Sequence, residues 1–270
     1  VKAYSNEAFL KSPDARLIRL LAEYLEPESR FRDLRIRDTV VFFGSARTLP
    51  IGQANQGWKE HQARIAGRTL GKEERLEKEK QLLTLRMAEY YELARDLSRK
   101  LTKWSMNLPG KFRRFVICSG GGPGIMEAAN KGAQEAGGVS IGLNISLPFE
   151  QDPNPYVSER LSFEFHYFFM RKLWFVYLAR ALVIFPGGFG TMDEMMEVLT
   201  LVQTKKLKKK LPVVLFGSEY WNQIINFEGL IKWGMIDPED LSLFKRIDDV
   251  DEAFEYLTGE LTRLYLTGKQ

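Results

Sequence analysis

The sequence predicts a doubly wound α/β fold, a parallel sheet with helices on both faces. Three observations carry that expectation: short apolar runs recur along the chain, they close in small or polar residues, and helical patterns separate them. The runs are Thr39-Val40-Val41-Phe42-Phe43, Phe115-Val116-Ile117-Cys118, Val139-Ser140-Ile141-Gly142-Leu143-Asn144, Ala181-Leu182-Val183-Ile184-Phe185 and Leu211-Pro212-Val213-Val214-Leu215-Phe216. Helical patterns cover roughly 83–104, 124–137, 167–180, 191–205, 219–232 and 249–265. In such a sheet ligands collect at the carboxyl ends of the strands, near the point where strand order reverses. The glycine-rich loops after residues 43, 118 and 185 all fall on that edge and are expected to feed one pocket.

Two regions lie outside this alternation. Residues 1–37 read as a charged N-terminal helical extension with an apolar stripe of Leu17, Ile18, Leu20, Leu21 and Leu25, expected to pack on the 38–270 domain or on a neighbouring subunit. Residues 52–82 form a charged insertion, read as a solvated helical stretch or a mobile loop.

Composition narrows the function classes. The chain of 270 residues is 44% hydrophobic and 12% aromatic, which fits a globular protein and not a disordered one. No apolar run approaches the roughly 20 residues that span a bilayer. A single cysteine, Cys118, argues for a reducing compartment, so a cytoplasmic protein without membrane partners is expected. Two distant histidines, His61 and His166, offer no metal site. The net charge is +4, and its densest cluster, Lys205-Lys206-Leu207-Lys208-Lys209-Lys210, follows a helix where cations complement the C-terminus. That reading is preferred to nucleic-acid binding.

The most informative stretch is Pro186-Gly187-Gly188-Phe189-Gly190-Thr191-Met192-Asp193-Glu194, between the 181–185 run and an apolar helix. Glycines let the backbone approach an anion closely, and the first free N–H groups of the helix point at it. Asp193 and Glu194 are placed in the first helical turn. A carboxylate beside a phosphate pocket is awkward for simple binding, so Glu194 is expected to face the next part of the ligand and do chemistry there. For Asp193, complementing the helix dipole is a sufficient reason for an acidic residue.

Ser119-Gly120-Gly121-Gly122-Pro123-Gly124 is a second strand–glycine–helix junction. It is not a dinucleotide fingerprint, because the spacing counted from Gly122 puts the third glycine at Glu127. Upstream, Met170-Arg171-Lys172 opens a helix rich in aromatics. An apolar helix tolerates adjacent cations where they face a phosphate and a polar pocket, Arg171 through its planar fork and Lys172 as a compact charge.

Together, Met170-Arg171-Lys172 and the 186–194 motif resemble the LOG ("Lonely guy") family, cytokinin riboside 5′-monophosphate phosphoribohydrolases long misannotated as lysine decarboxylases. The similarity runs from about residue 38 to 235 and includes Gly44-Ser45, the 119–127 loop and Leu147-Pro148-Phe149-Glu150. The resemblance implies a Rossmann-like nucleotide-binding domain that splits a purine nucleoside 5′-monophosphate into free base and ribose 5-phosphate, with no cofactor and no metal. It implies Arg171 and Glu194 as catalytic residues with Lys172 beside them. Gly187, Gly188, Gly190 and Thr191 would grip the 5′-phosphate. Glu150 and Thr200 would add nucleotide contacts, and Ser45 with the 120–124 glycines, Gly121 and Gly122 among them, would form the remaining wall. Asp193 is counted with the substrate-binding loop.

The approach Phe168-Phe169-Met170 is apolar where the family often has His or Glu, and the two additions look like the longer bacterial type, which implies a homo-oligomer, dimer or hexamer. Molybdenum-cofactor carrier proteins share this fold and a related glycine loop, so a non-catalytic carrier is the alternative. The Arg171/Glu194 pair favours hydrolysis.

Overall fold

The computed structural model describes residues 1–67, 69–146 and 152–267. Its strands are β1 (Thr39–Phe43), β2 (Val116–Ser119), β3 (Ser140–Ile145), β4 (Ser162–Phe165), β5 (Ala179–Ile184), β6 (Val213–Phe216) and β7 (Lys245–Ile247). Its helices are α1 (Glu7–Lys11), α2 (Arg16–Asp33), α3 (Ile51–Ile65), α4 (Lys72–Met106), α5 (Ile125–Glu135), α6 (Phe168–Leu178), α7 (Phe189–Gln203), α8 (Ser218–Ile224), α9 (Phe227–Lys232) and α10 (Val250–Tyr265). All strand pairs are parallel, in the order β4-β3-β2-β1-β5-β6-β7. The expected doubly wound sheet is present.

Alternation along each strand divides the interior in two. Val40, Phe42, Ile117, Ala181, Val183, Val214 and Phe216 pack with Tyr91, Ala94 and Leu97 of α4 and with Ala253 and Leu257 of α10. Their neighbours Val41, Phe43, Cys118, Ile141, Leu143, Leu182, Ile184 and Leu215 meet Phe31, Trp174, Phe175, Met195 and Val198 on the other face. Strands buried on both faces read as continuous apolar runs, which is why the central five are visible in the sequence.

The two edge strands are not among the expected runs. In β4 only Phe163 and Phe165 of four residues are buried, and in β7 only Ile247 of three. The 219–232 pattern divides into α8 and α9, because the Asn226 side chain caps α9 by accepting from the Gly229 N–H at 2.7 Å. The 52–82 insertion is helical over 52–65 and 72–82. It supplies α3 and the first turns of α4, a helix of 35 residues of which the sequence showed the second part.

In the extension, α2 docks against α6 and β4. Phe31 enters the core, Trp174 donates to Glu23 O at 3.0 Å, and Arg30 reaches Ser162 O at 3.1 Å. The apolar stripe expected to make this contact does so only through Leu20; Leu17, Ile18, Leu21 and Leu25 remain exposed. In the lysine cluster, Lys209 donates to the carbonyls of Val176 and Tyr177 and so caps α6, not the helix that precedes the cluster. No helix among the described residues is long and apolar enough to cross a membrane.

Candidate active site

Strand order reverses between β1 and β5, and the loops after β1, β2 and β5 meet there. The Ser45 N–H donates to Pro186 O at 2.9 Å, and the Ile125 N–H donates to Ser45 O at 3.0 Å. Such closeness requires glycine at 124, where φ is +72° and a Cβ would stand 2.2 Å from Ser45 O. The loops enclose a cavity of about 860 Å³, a volume suited to a small molecule.

The β5 loop forms one wall. Gly188 is the N-cap of α7, which starts at Phe189, two residues earlier than expected. Asp193 and Glu194 therefore fall in the second turn and not the first. The amides of Phe189, Gly190 and Thr191 precede the first intrahelical bond, Met192 N–H to Gly188 O at 3.0 Å, and are the free donors of a helix N-terminus. Gly187 gives Thr191 its place, since a Cβ there would lie 2.1 Å from Thr191 Oγ1. The Tyr220 hydroxyl donates to Gly187 O at 2.6 Å and braces the loop from α8.

Glu194 lies one turn further along α7, only 5% exposed, and lines the same cavity. Burial raises its pKa, opposed by the charges of Lys172 and Arg171. Arg171 comes from α6, its Nε donating to Leu143 O at 2.8 Å and its guanidinium 5.0 Å from the Phe175 ring centre. Burial pulls its pKa down, and Glu194 is the first opposing charge. A buried carboxylate and a half-buried guanidinium thus share a cavity with amides that have no partner among the described residues.

Lys172 takes a different direction. Its Nζ lies 2.7 Å from Asp193 Oδ2, 2.7 Å from Glu197 Oε2 and 3.5 Å from Glu194 Oε2, behind the cavity wall. Burial works against its charge, but the hydrogen bonds to Asp193 and Glu197 outweigh it and raise its pKa. The expectation that both cations face the pocket therefore holds in position for Arg171 alone.

The remaining candidates sort by place. Ser45, Gly122, Gly187, Gly188, Gly190 and Thr191 line the cavity. Gly121 sits just behind it at φ +74°, its carbonyl accepting from Asn154. Asp193 pairs with Lys172, and Thr200 bonds its own helix, donating to Met196 O at 2.7 Å; neither lines the cavity. Glu150 lies outside the described residues.

Several wall residues carried no signal in the sequence. Leu83 and Met87 come from α4, just past the insertion, Met126 from α5, Asn144 from β3 and Tyr220 from α8. Behind the wall, buried Asn154 donates to Gly121 O, Gly122 O and Asn130 Oδ1 at 2.9 to 3.0 Å. Asn130 Oδ1 also accepts from the Ser119 hydroxyl, which fixes the glycine loop from beneath. An asparagine in a Pro-Asn-Pro turn gives no hint of that role.

Fold and site define an α/β protein with a glycine loop at a helix N-terminus, a buried carboxylate and an arginine at a topological switch point. The family model described as "Possible lysine decarboxylase" matches residues 126–257. The chain is 34% identical over 119 residues to the pyrimidine/purine nucleotide 5′-monophosphate nucleosidase of Escherichia coli, covering 40% of this chain and a quarter (25%) of that one. It is 25% identical over 167 residues to the probable cytokinin riboside 5′-monophosphate phosphoribohydrolase LOG4 of Oryza sativa subsp. japonica, covering 61% of this chain and 68% of the relative. Among solved structures it is similar to the molybdenum cofactor carrier protein of Chlamydomonas reinhardtii, at 18% identity and a TM-score of 0.45, over 84% of this chain and 99% of that chain. The resemblance to the LOG family is borne out: the chain is a relative of proteins named as phosphoribohydrolases and nucleotide nucleosidases.

Proposed function

We propose that this protein hydrolyses the N-glycosidic bond of a purine nucleoside 5′-monophosphate, releasing free base and ribose 5-phosphate. One observation carries the reading: Glu194 is buried beside Arg171, one turn beyond the free amides of Phe189, Gly190 and Thr191. A site that only held an anion would gain nothing from a carboxylate there.

In this reading the loop amides and Thr191 bind the 5′-phosphate. The C1′–N bond breaks with its electron pair going to the base, through an oxocarbenium-like state. Glu194 stabilises the positive charge at C1′ and accepts a proton from the attacking water, whose oxygen forms the new bond to C1′; the departing base takes up a proton from solvent, and Glu194 returns its own to solvent. Arg171 steadies the ribose and the carboxylate. Lys172 acts from behind, keeping Glu194 ionised. We also propose a homo-oligomer, supported by the exposed Leu17, Leu21 and Leu25 of α2 beside the exposed Phe169, Leu173 and Tyr177 of α6.

Incubating the purified protein with AMP and with isopentenyladenosine monophosphate, then separating free base by chromatography, tests the reading and ranks the substrates. Base released from either supports it. Nucleotide bound without any release would favour a carrier.

A further inference from the structure

The β5 loop sets one end of the cavity, and strand order sets what stands at the other. β5 is separated from β3 by β1 and β2, three strand intervals or about 14 Å across the sheet. At that far end the last residues of β3 bring Asn144 to the cavity wall. Its carboxamide lies against the backbone of Gly121, where a Cβ would stand 2.5 Å from Nδ2. Asn144 is 8% exposed, and its Nδ2 has no hydrogen-bond partner among the described residues. The buried amides of Asn130 and Asn154 are both held by neighbours. A buried polar group left unpaired destabilises a fold, and one that lines a cavity is completed when a ligand arrives.

Resting on the nucleotide reading above, we propose that Asn144 determines specificity by pairing with the polar edge of the purine base. A sugar phosphate anchored at residues 187–191 does not extend across three strand intervals, whereas the base of a nucleotide does. Glu194, one turn along α7 from the loop, then lies at the level of the ribose, and Arg171, whose Nε donates to Leu143 O next to Asn144, stands toward the β3 end. A carboxamide offers one donor and one acceptor side by side, the complement of the adjacent amine and ring nitrogen of an adenine-type base. Gly121 is glycine because a side chain there would displace that carboxamide.

The test measures binding on the Glu194→Gln background, so that it does not depend on turnover. Calorimetry compares AMP with ribose 5-phosphate, which has the same phosphate and sugar but no base, before and after adding Asn144→Ala. The expected result is a loss of tenfold or more in AMP affinity, with ribose 5-phosphate unchanged within twofold; the second value also reports an intact site. Equal loss for both ligands, or no loss for AMP, would overturn the assignment, as would a parent protein that binds neither. Absence of base release by the wild-type protein would refute the hydrolase alone and leave these affinities to judge Asn144.

Discussion

Glu194 is the residue on which the chemistry turns, and its surroundings make the pH dependence predictable. It acts as a carboxylate, so activity rises with pH as it ionises. Burial raises its pKa, which places the acid limb of the rate profile above the usual carboxylate range. Lys172 opposes that shift from 3.5 Å, so Lys172→Ala should move the limb to still higher pH; an unmoved limb would contradict the electrostatic role given to Lys172. Arg171 offers a second test. A Cβ at Gly120 would stand 2.8 Å from Arg171 Nη2 and 2.6 Å from Met126 Sδ, both ends of flexible side chains. Gly120→Ala should therefore fold normally and lower kcat by displacing the guanidinium. Full activity in a well-folded G120A protein would show that the guanidinium position is unimportant. At this scale the sequence revealed residues that belong to a local motif, such as Arg171 and the 187–194 loop. It did not separate Arg171 from Lys172, because which neighbour on a helix faces the cavity depends on the placement of α7, whose Asp193 and Glu197 draw Lys172 away.

At the scale of elements, the site rests on loops held by side chains from distant parts of the chain. Asn154 is the clearest case: it satisfies the carbonyls of Gly121 and Gly122 and joins them to Asn130. Asn154→Ala leaves Gly122 O unpaired, at about 1–3 kcal/mol, while Gly121 O keeps the backbone N–H of residue 154 and Asn130 Oδ1 keeps the Ser119 hydroxyl. Thermal unfolding should shift down by several degrees, with weaker nucleotide binding; an unchanged melting temperature would argue against the network. The same scale explains which elements were legible. Central strands such as β1 and β5 are buried on both faces and stand out as apolar runs. β4 and β7 are edges with few buried residues, and the first half of α4 overhangs the sheet with a charged surface. Leu83 and Met87 belong to the 83–104 helical pattern, but periodicity does not show where a helix lies against the strand ends, so they could not be assigned to the cavity beforehand.

For the whole molecule, strand order does what no single motif can. By reversing between β1 and β5, it brings three glycine loops, a β3 asparagine and side chains of five helices to one cavity. Of the additions, the insertion supplies α3 and the turns of α4 that precede the lining residues Leu83 and Met87, and α2 carries exposed leucines. If α2 and α6 form a subunit contact, Leu21→Glu should reduce the assembly seen by light scattering; an unchanged mass would remove that surface from consideration. The central claim is that Glu194 performs chemistry in a site whose backbone does the binding. The most direct measurement is the AMP turnover rate and nucleotide affinity of Glu194→Gln beside the wild type. We predict a rate loss on the order of a thousandfold, about 4 kcal/mol of barrier, with affinity kept within a few-fold. A variant that turned over AMP within a few-fold of the wild-type rate would contradict the account.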